Sequence, residues 1–363
     1  MNKKIKIIFI VPSLRGGGAE RVVSILLQYL DTTKFDLTLV LLQKEGKFLN
    51  DIPDYIKIID LKSKRVRNSI SKIIKTIKSE NADIVFSTLG HLNLLISILR
   101  PFLNKNTIFI GRESNTVSIM NKQDKFPKLM DFLYRRFYNN FDYIIAQAEY
   151  MKDDLVQNYE IISDKIIVIN NPIDFEKVKK LSYEVAEPLF DKSKINLIAV
   201  GRLAYQKGFD TLIEIMEQLD ERFYLTILGQ GPDYATLESL IKEKNLSQKI
   251  KLQGFVNNPY PYMRQADIFV LSSRFEGFPN VVLESNACQT SVIAFNCPGG
   301  TSEIIEENKN GWLVDCQNKE AFVKKLYSID YNKSIDTKHL EKFKVDVIIK
   351  QYENFFIKVM NKK

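Results

Sequence analysis

The sequence predicts an α/β protein made of two doubly wound, Rossmann-like parallel-sheet domains in tandem. Three observations lead there. The chain has 363 residues, too many for one ordinary α/β core and about right for two. Short β-branched runs alternate with helical patterns from the first residues onward, which is how parallel strands joined by crossover helices read. The alternation breaks in a charged, irregular stretch before Leu197 and then resumes, so two sheets are expected, with a cleft between them.

In the first series the strand candidates are Ile5 to Val11, Leu37 to Leu42, Asp83 to Ser87, Thr107 to Ile110, Tyr143 to Ala146 and Ile166 to Ile169. The second series offers Leu197 to Val200, Tyr224 to Leu228, Ile250 to Leu252, Ile268 to Leu271, Val292 to Phe295 and Trp312 to Val314. Helices fill the intervals. The boundary falls at Asn170-Asn171-Pro172, because proline lacks a donor and turns its predecessor away from helical geometry. Domains are therefore expected over residues 1–170 and 171–339. From Leu340 onward Phe343, Val347, Ile348, Tyr352, Phe355, Phe356 and Val359 follow a period of about 3.6 residues, which predicts one long helix over 340–363 packing back toward the N-terminal domain.

Hydrophobic residues make up 45% and charged residues 26%, the usage of a globular protein rather than of a disordered or membrane-embedded one. The formal charge of +8 is unevenly spread. Residues 1–180 carry 29 Lys and Arg against 20 Asp and Glu, and residues 181–363 carry 23 against 24. A basic first half attracts an anionic partner such as a phospholipid surface or a pyrophosphate-bearing acceptor, unless it reflects only a lysine-rich composition. No nucleic-acid-binding module accompanies the charge, so nucleic acid is not an expected partner.

The three cysteines, Cys288, Cys297 and Cys316, show no paired spacing and fit a reducing compartment. Met1 to Val11 is too short an apolar run for a signal peptide and meets Pro12, so it reads as a first strand. No stretch reaches the roughly 18 to 20 apolar residues that span a bilayer. A cytoplasmic protein is expected, its membrane contact peripheral and at the inner face.

Arg15-Gly16-Gly17-Gly18-Ala19-Glu20-Arg21 stands between the first strand and the first helix, where bare backbone can approach an anion and a helix N-terminus favours negative charge. A glycine turn that serves only packing has the same appearance. The dinucleotide-binding fingerprint fails here. Arg21 occupies the position that needs a small residue, and the second strand ends in Gln43-Lys44 rather than in a ribose-binding acid.

In the second series Gly201-Arg202-Leu203-Ala204-Tyr205-Gln206-Lys207-Gly208 follows a strand and places two cations at the sheet edge where ligands of open α/β sheets bind. Arg202 can grip phosphate oxygens with its planar fork and Lys207 adds a point charge, a pair suited to a diphosphate. Farther on, Glu276-Gly277-Phe278-Pro279-Asn280-Val281-Val282-Leu283-Glu284 runs from a loop into a helix. Eight positions correspond to about 12 Å if helical, too far for a hydrolytic pair of carboxylates about 5 to 10 Å apart. The two acids suit opposite ends of one elongated ligand. The amides of Gly277 to Val281 cap the helix and suit phosphate or sugar oxygens.

These three segments resemble the glycosyltransferases of family 4, which have the GT-B fold, and the resemblance covers essentially the whole chain. It implies that Arg202 and Lys207 neutralise the leaving diphosphate, that Glu276 binds the donor sugar and Glu284 the ribose, and that Gly17 and Gly18 reach the phosphates. Gly201 and Gly277, Phe278, Pro279, Asn280 and Val281 would complete the donor site, with base contacts at Gly254-Phe255-Val256. The implied activity is a retaining transfer of a hexose or N-acetylhexosamine from a nucleotide sugar, UDP-linked, to a lipid-linked glycan in surface polysaccharide biosynthesis. No metal or other cofactor is implied, because cations and helix N-termini can stabilise the diphosphate. A nucleotide-sugar epimerase of the same fold and a non-catalytic carbohydrate-binding protein are the alternatives.

Three further places carry two readings each. Many relatives have a histidine just after the third strand candidate; here His91 stands a few residues later, either near the donor sugar or capping the next helix. Arg112 and Glu113, in Gly111-Arg112-Glu113-Ser114-Asn115, either orient the acceptor or are loop charges without a role. Ser69 to Lys78 sets Ile70, Ile73, Ile74 and Ile77 against Lys72, Lys75 and Lys78. Such a helix lies on an anionic bilayer or packs on its own sheet with lysines in water.

Overall fold

The computed structural model describes residues 3–185, 187–331 and 334–362. They form two compact units, one running to Pro172 and rejoined by the chain from Val345, the other Ile173–Lys344.

The first unit holds strands β1 Ile5–Val11, β2 Phe35–Leu41, β3 Lys57–Asp60, β4 Ile84–Thr88, β5 Ile108–Arg112, β6 Tyr143–Ala146 and β7 Ile166–Val168. Its helices are α1 Gly18–Tyr29, α2 Ile70–Glu80, α3 Gly90–Leu99, α4 Val117–Lys122, α5 Pro127–Phe137 and α6 Glu149–Tyr159. The second unit holds β8 Ile195–Val200, β9 Phe223–Leu228, β10 Ile250–Gly254, β11 Ile268–Leu271, β12 Val292–Asn296 and β13 Gly311–Asp315. Its helices are α7 Phe175–Leu181, α8 Phe209–Gln218, α9 Tyr234–Glu243, α10 Tyr260–Gln265, α11 Asn280–Ala287, α12 Thr301–Ile304 and α13 Lys319–Ser328. Helix α14, Val345–Asn361, belongs to the first unit.

Every strand pair is parallel. The sheets run β3-β2-β1-β4-β5-β6-β7 and β10-β9-β8-β11-β12-β13. In both, the chain works outward from the first strand and then returns to its other side. The order therefore reverses between β1 and β4 and between β8 and β11, and at such a switch point the loops leaving the strands part and admit a ligand.

Strands covered on both faces read as unbroken apolar runs, which is why their positions were legible. Strand β3 was missed, because it is an edge strand bounded by Lys57 and Asp60 and only half-buried. The terminal helix also starts later than expected. Lys338–Phe343 is a 3-10 turn, and the Phe343 carbonyl accepts the Ile173 amide at 2.9 Å, so the chain is extended at Lys344 before α14 begins.

Helix α14 buries Ile348, Tyr352, Phe355, Phe356 and Val359 among Ile7, Phe9, Phe35 and Phe86 of the first sheet. The Phe356 ring meets Phe35 at 6.0 Å and Phe86 at 6.2 Å, both edge to face, a geometry aromatic quadrupoles favour. Val347 faces solvent instead. Helix α2 lays Ile73 and Ile77 on its own unit, and the Lys72 ammonium turns back to the Leu61 carbonyl at 2.7 Å. Half of the apolar stripe of α2 is thus spent on the core, while Ile74 is half-buried and Ile70 exposed, which favours the packing reading of this helix over the bilayer one. No helix among the described residues is long and apolar enough to cross a membrane.

Candidate active site

The switch point of the second sheet is built from three loops leaving the C-terminal ends of β8, β11 and β12. After Val200 the chain makes a 3-10 turn, Tyr205–Lys207, and enters α8 through Gly208 at φ 62°. A side chain there would also meet the Ser272 carbonyl at 2.2 Å, so glycine is required by both conformation and space. The loop after β11 is stitched to this one. Ser272 Oγ donates to the Lys207 carbonyl at 2.9 Å, the Arg274 amide to the Gln206 carbonyl at 2.8 Å, and Gln206 Nε2 to the Phe275 carbonyl at 3.1 Å. Arg274 completes the brace with a bidentate pair to Asp210, at 2.9 and 2.7 Å, while its guanidinium lies over the Tyr205 ring.

That scaffold brings Lys207 and Glu276 together. Lys207 Nζ donates to Glu276 Oε1 at 2.6 Å, and Ser273 Oγ donates to the same oxygen at 2.6 Å. Glu276 is buried and Lys207 nearly so. Ions taken from water cost free energy unless closely paired and hydrogen-bonded, and these two satisfy each other at the sheet edge. The third loop fixes the backbone beneath them: the Glu276 amide donates to the Pro298 carbonyl at 2.9 Å and the Gly300 amide to the Gly277 carbonyl at 2.8 Å. Between these two contacts Gly299 sits at φ 131°.

Arg202 is exposed on the β8 loop, and Gly201 lies against the Lys207 stem. Glu284 is buried as the fifth residue of α11, which Pro279 caps and Asn280 and Val281 open half-buried. The Phe278 ring is buried edge-on against Phe343 at 5.3 Å, so this side chain packs and leaves only the Phe278 backbone for a donor. Gly254 ends β10 at φ 80° with open space where a side chain would go, followed by half-exposed Phe255 and half-buried Val256. Ser272, Ser273, Gln206, Arg274 and Gly299 were not singled out from sequence. Only Gln206 lay inside a motif.

Thiol chemistry is unavailable at this site. Burial, with the Glu276 charge nearby, pushes the Cys297 thiol up to about 12, and burial with the Glu284 charge does the same to Cys288. Neither forms a thiolate nucleophile near neutral pH.

In the first unit Gly17 caps α1 and Gly18 opens it. The amides of Gly16 and Gly17 both donate to Glu20 Oε2 at 2.7 Å, the reach-back half of a capping box. In this conformation the Glu20 carboxylate, from the first turn of α1, holds the Gly17 amide that was expected to reach a phosphate. His91 is exposed in the first turn of α3, its Nε2 3.7 Å from Asp124, and the α3 cap is Leu89, so the capping reading of His91 does not hold.

Arg112 and Glu113 require the largest correction. Arg112 is 0% and Glu113 3% exposed, so neither can touch an acceptor. Glu113 Oε1 accepts the Tyr138 hydroxyl and Asn93 Nδ2, the latter at 3.1 Å. Arg112 donates to Asn171 Oδ1 at 2.5 Å and to the Tyr352 hydroxyl at 3.2 Å, which ties β5 to α14 inside the unit. Its Nη1 is buried with no hydrogen-bond partner among the described residues.

Burial raises the Glu113 carboxyl to about 7 against the lowering effects of the Asn93 hydrogen bond and the Arg112 charge. The ordinary value is 4.5, so between these two values the folded protein holds a proton the unfolded chain has released. Stability therefore falls as pH rises through that window, by about 3 kcal/mol in all, and is level above it. Glu113→Gln is expected to flatten this slope. Thermal melts of both proteins at pH 5 and pH 8 check it, and parallel pH profiles would refute the assignment.

Comparison with known proteins supplies the class. Residues 16–177 match the model for Glycosyltransferase Family 4 and residues 184–343 that for Glycosyl transferases group 1. A Campylobacter jejuni enzyme, N-acetylgalactosamine-N,N'-diacetylbacillosaminyl-diphospho-undecaprenol 4-alpha-N-acetylgalactosaminyltransferase, is 34% identical over 326 residues, 86% of this chain and 87% of that one. The amylovoran biosynthesis glycosyltransferase AmsD of Erwinia amylovora is 26% identical over 312 residues, 85% of each chain. Among solved structures, Anabaena HepE in complex with UDP superposes with a TM-score of 0.79 at 18% identity, covering 98% of this chain and 100% of that one. Sucrose-phosphate synthase of Thermosynechococcus elongatus gives 0.82, also at 18%, covering 99% and 100%.

Two parallel-sheet units with this likeness define a glycosyltransferase of the GT-B fold. The chain belongs to glycosyltransferase family 4. Its relatives are glycosyltransferases of surface polysaccharide or lipid-linked glycan biosynthesis.

Proposed function

We propose that the protein moves a hexose or N-acetylhexosamine, with retention of anomeric configuration, from a UDP-sugar to a lipid-linked glycan at the inner face of the cell membrane. The observation that carries this reading is the Lys207–Glu276 pair at the switch point of the second sheet, its carboxylate buried and its ammonium partly open to solvent. Its ammonium and the exposed Arg202 suit the charge that develops on a departing diphosphate, and its carboxylate suits hydroxyls of the donor sugar. Glu284 takes the ribose, and the acceptor falls to the first unit. Attack comes from the face the diphosphate leaves, and the leaving phosphate oxygen takes the proton of the acceptor hydroxyl, so no enzyme nucleophile is used. The lipid-diphosphate acceptor named for the Campylobacter relative and the UDP bound by HepE support the two substrate classes. The cation pair makes a metal unnecessary.

The test is nucleoside diphosphate release by the purified protein across a panel of nucleotide sugars, with and without an undecaprenyl-diphosphate-linked glycan. Release that requires acceptor and is unchanged by millimolar EDTA is expected. Sugar interconversion without acceptor would identify an epimerase instead, and a rate abolished by EDTA and restored by Mg²⁺ would sink the metal-free step.

A further inference from the structure

Helices α4 and α5 of the first unit present an exposed face to whose residues the proposed transfer assigns no role. One side of α5 is anchored: Tyr134 packs against Tyr138 and Tyr159 at 4.5 and 5.4 Å. Asp131 Oδ1 accepts Tyr159 Oη at 2.7 Å and Asn121 Nδ2 at 3.0 Å. With the rotation of the helix so fixed, Lys128, Leu129, Phe132, Arg135 and Arg136 all lie on the opposite side, within an arc of about 120° at about 100° per residue, and all are exposed. Phe126, Leu129 and Phe132 are 57%, 52% and 59% exposed, and Met120 of α4 is 41% exposed. Large apolar side chains left this open within thirteen residues form a patch rather than the scatter normal for a surface.

The charges around them have one sign. The segment 117–137 carries five Lys and Arg against two Asp, and both acids are engaged within the unit. Asp131 serves the anchor, while Asp124 Oδ1 accepts the Phe126 amide at 3.0 Å and its Oδ2 lies 3.7 Å from His91. Of the cations, Arg135 Nε donates to the Asn158 carbonyl, and the Lys125 ammonium lies 5.4 Å from the centre of the Phe126 ring. Lys122 and Lys128 are exposed beside the apolar side chains.

We propose that this face of α4 and α5 docks on an anionic phospholipid bilayer, with Met120, Phe126, Leu129 and Phe132 entering the acyl boundary and Lys122, Lys125, Lys128 and Arg136 meeting headgroup phosphates. Apolar side chains that reach the acyl region beside cations that stay at the headgroups are what an interfacial helix needs. A protein partner fits less well, because lysine is depleted at protein interfaces and here three lysines interrupt the apolar surface. The inference deepens the reading of a lipid-linked acceptor: docking through the first unit puts the acceptor-binding part of the enzyme where that acceptor resides. It moves the membrane contact from α2, whose Ile73 and Ile77 are buried, to α4 and α5.

The test is co-sedimentation of the purified full chain with vesicles of phosphatidylglycerol and phosphatidylcholine, or of phosphatidylcholine alone, at about 0.1 M salt. We expect binding to the anionic vesicles and at least about tenfold weaker binding to the neutral ones. The triple variants Phe126→Ser/Leu129→Ser/Phe132→Ser and Lys122→Glu/Lys125→Glu/Lys128→Glu should each lower partitioning by at least about tenfold with an unchanged melting temperature. Lys75→Glu/Lys78→Glu on α2 should lower it by less than about threefold, the change long-range charge alone produces. Equal binding by the wild type and both triple variants overturns the proposal. So does a wild-type dimer that the Phe126→Ser/Leu129→Ser/Phe132→Ser variant converts to monomer, because the face would then be a protein interface. Binding is measured without donor or turnover, so its failure leaves the transferase reading standing, and the failure of transfer leaves docking intact.

Discussion

Glu276→Gln is expected to lower kcat/KM for transfer by about 10³-fold in a protein that still folds. Gln is isosteric and can still accept from Ser273, so the three braced loops keep their places. What it loses is the negative charge that holds the Lys207 ammonium at 2.6 Å and the acceptor strength that a carboxylate offers to sugar hydroxyls. Lys207 retains some solvent exposure, so the unpaired ammonium can reach water. The stability cost then stays near the low end for breaking a buried pair, about 3 kcal/mol or less. UDP itself should bind as tightly as to the wild type or tighter, because a negative charge beside the diphosphate has been removed. Calorimetric titration with UDP and steady-state transfer separate the two effects. A variant that transfers within about threefold of the wild type would remove Glu276 from the donor-sugar role.

Why the sequence disclosed some of this and hid the rest follows from how each residue acts. Lys207, Glu276 and Glu284 carry charge on loops, and on the helix, that follow apolar strand runs such as Ile268–Leu271, so residue type and position together make them candidates in the sequence. Arg112 and Glu113 carry charge too, but what defines them is enclosure. Their partners Tyr352 and Asn93 stand 240 and 20 residues away, and nothing in Gly111-Arg112-Glu113-Ser114-Asn115 signals that a tyrosine on the terminal helix will close over it. The same holds in reverse for the exposed face. Helix α2 has the cleaner alternation of isoleucine and lysine, yet its Ile73 and Ile77 find the core, whereas Phe126, Leu129 and Phe132, with no pattern that marks them, find solvent. A one-dimensional pattern gives the period of a helix but not which of its faces the rest of the unit covers.

Gly299 shows the opposite limit, a residue whose contribution is the absence of atoms. A Cβ on Gly299 would stand 2.1 Å from the Glu276 carbonyl oxygen, more than an ångström inside ordinary contact, and φ 131° is itself a conformation that L side chains rarely adopt. Gly299→Ala must therefore push the Glu276 backbone away, and the hydrogen bonds on either side, from Glu276 to Pro298 and from Gly300 to Gly277, leave no slack along the loop. Strain of this kind costs about 1 to 3 kcal/mol for the conformation and a similar amount for the overlap. A carboxylate displaced by about 1 Å is expected to cost about 10²-fold in transfer. Gly311→Ala is the control. It meets the Val292 carbonyl at 2.4 Å at the other end of the strands, where β12 and β13 begin. It should lower the melting temperature while the folded fraction keeps its kcat/KM. If the two variants lose stability alike and both keep their turnover, the position of the Glu276 backbone does not govern the reaction, and the Lys207–Glu276 pair would have to be reassigned to holding the fold.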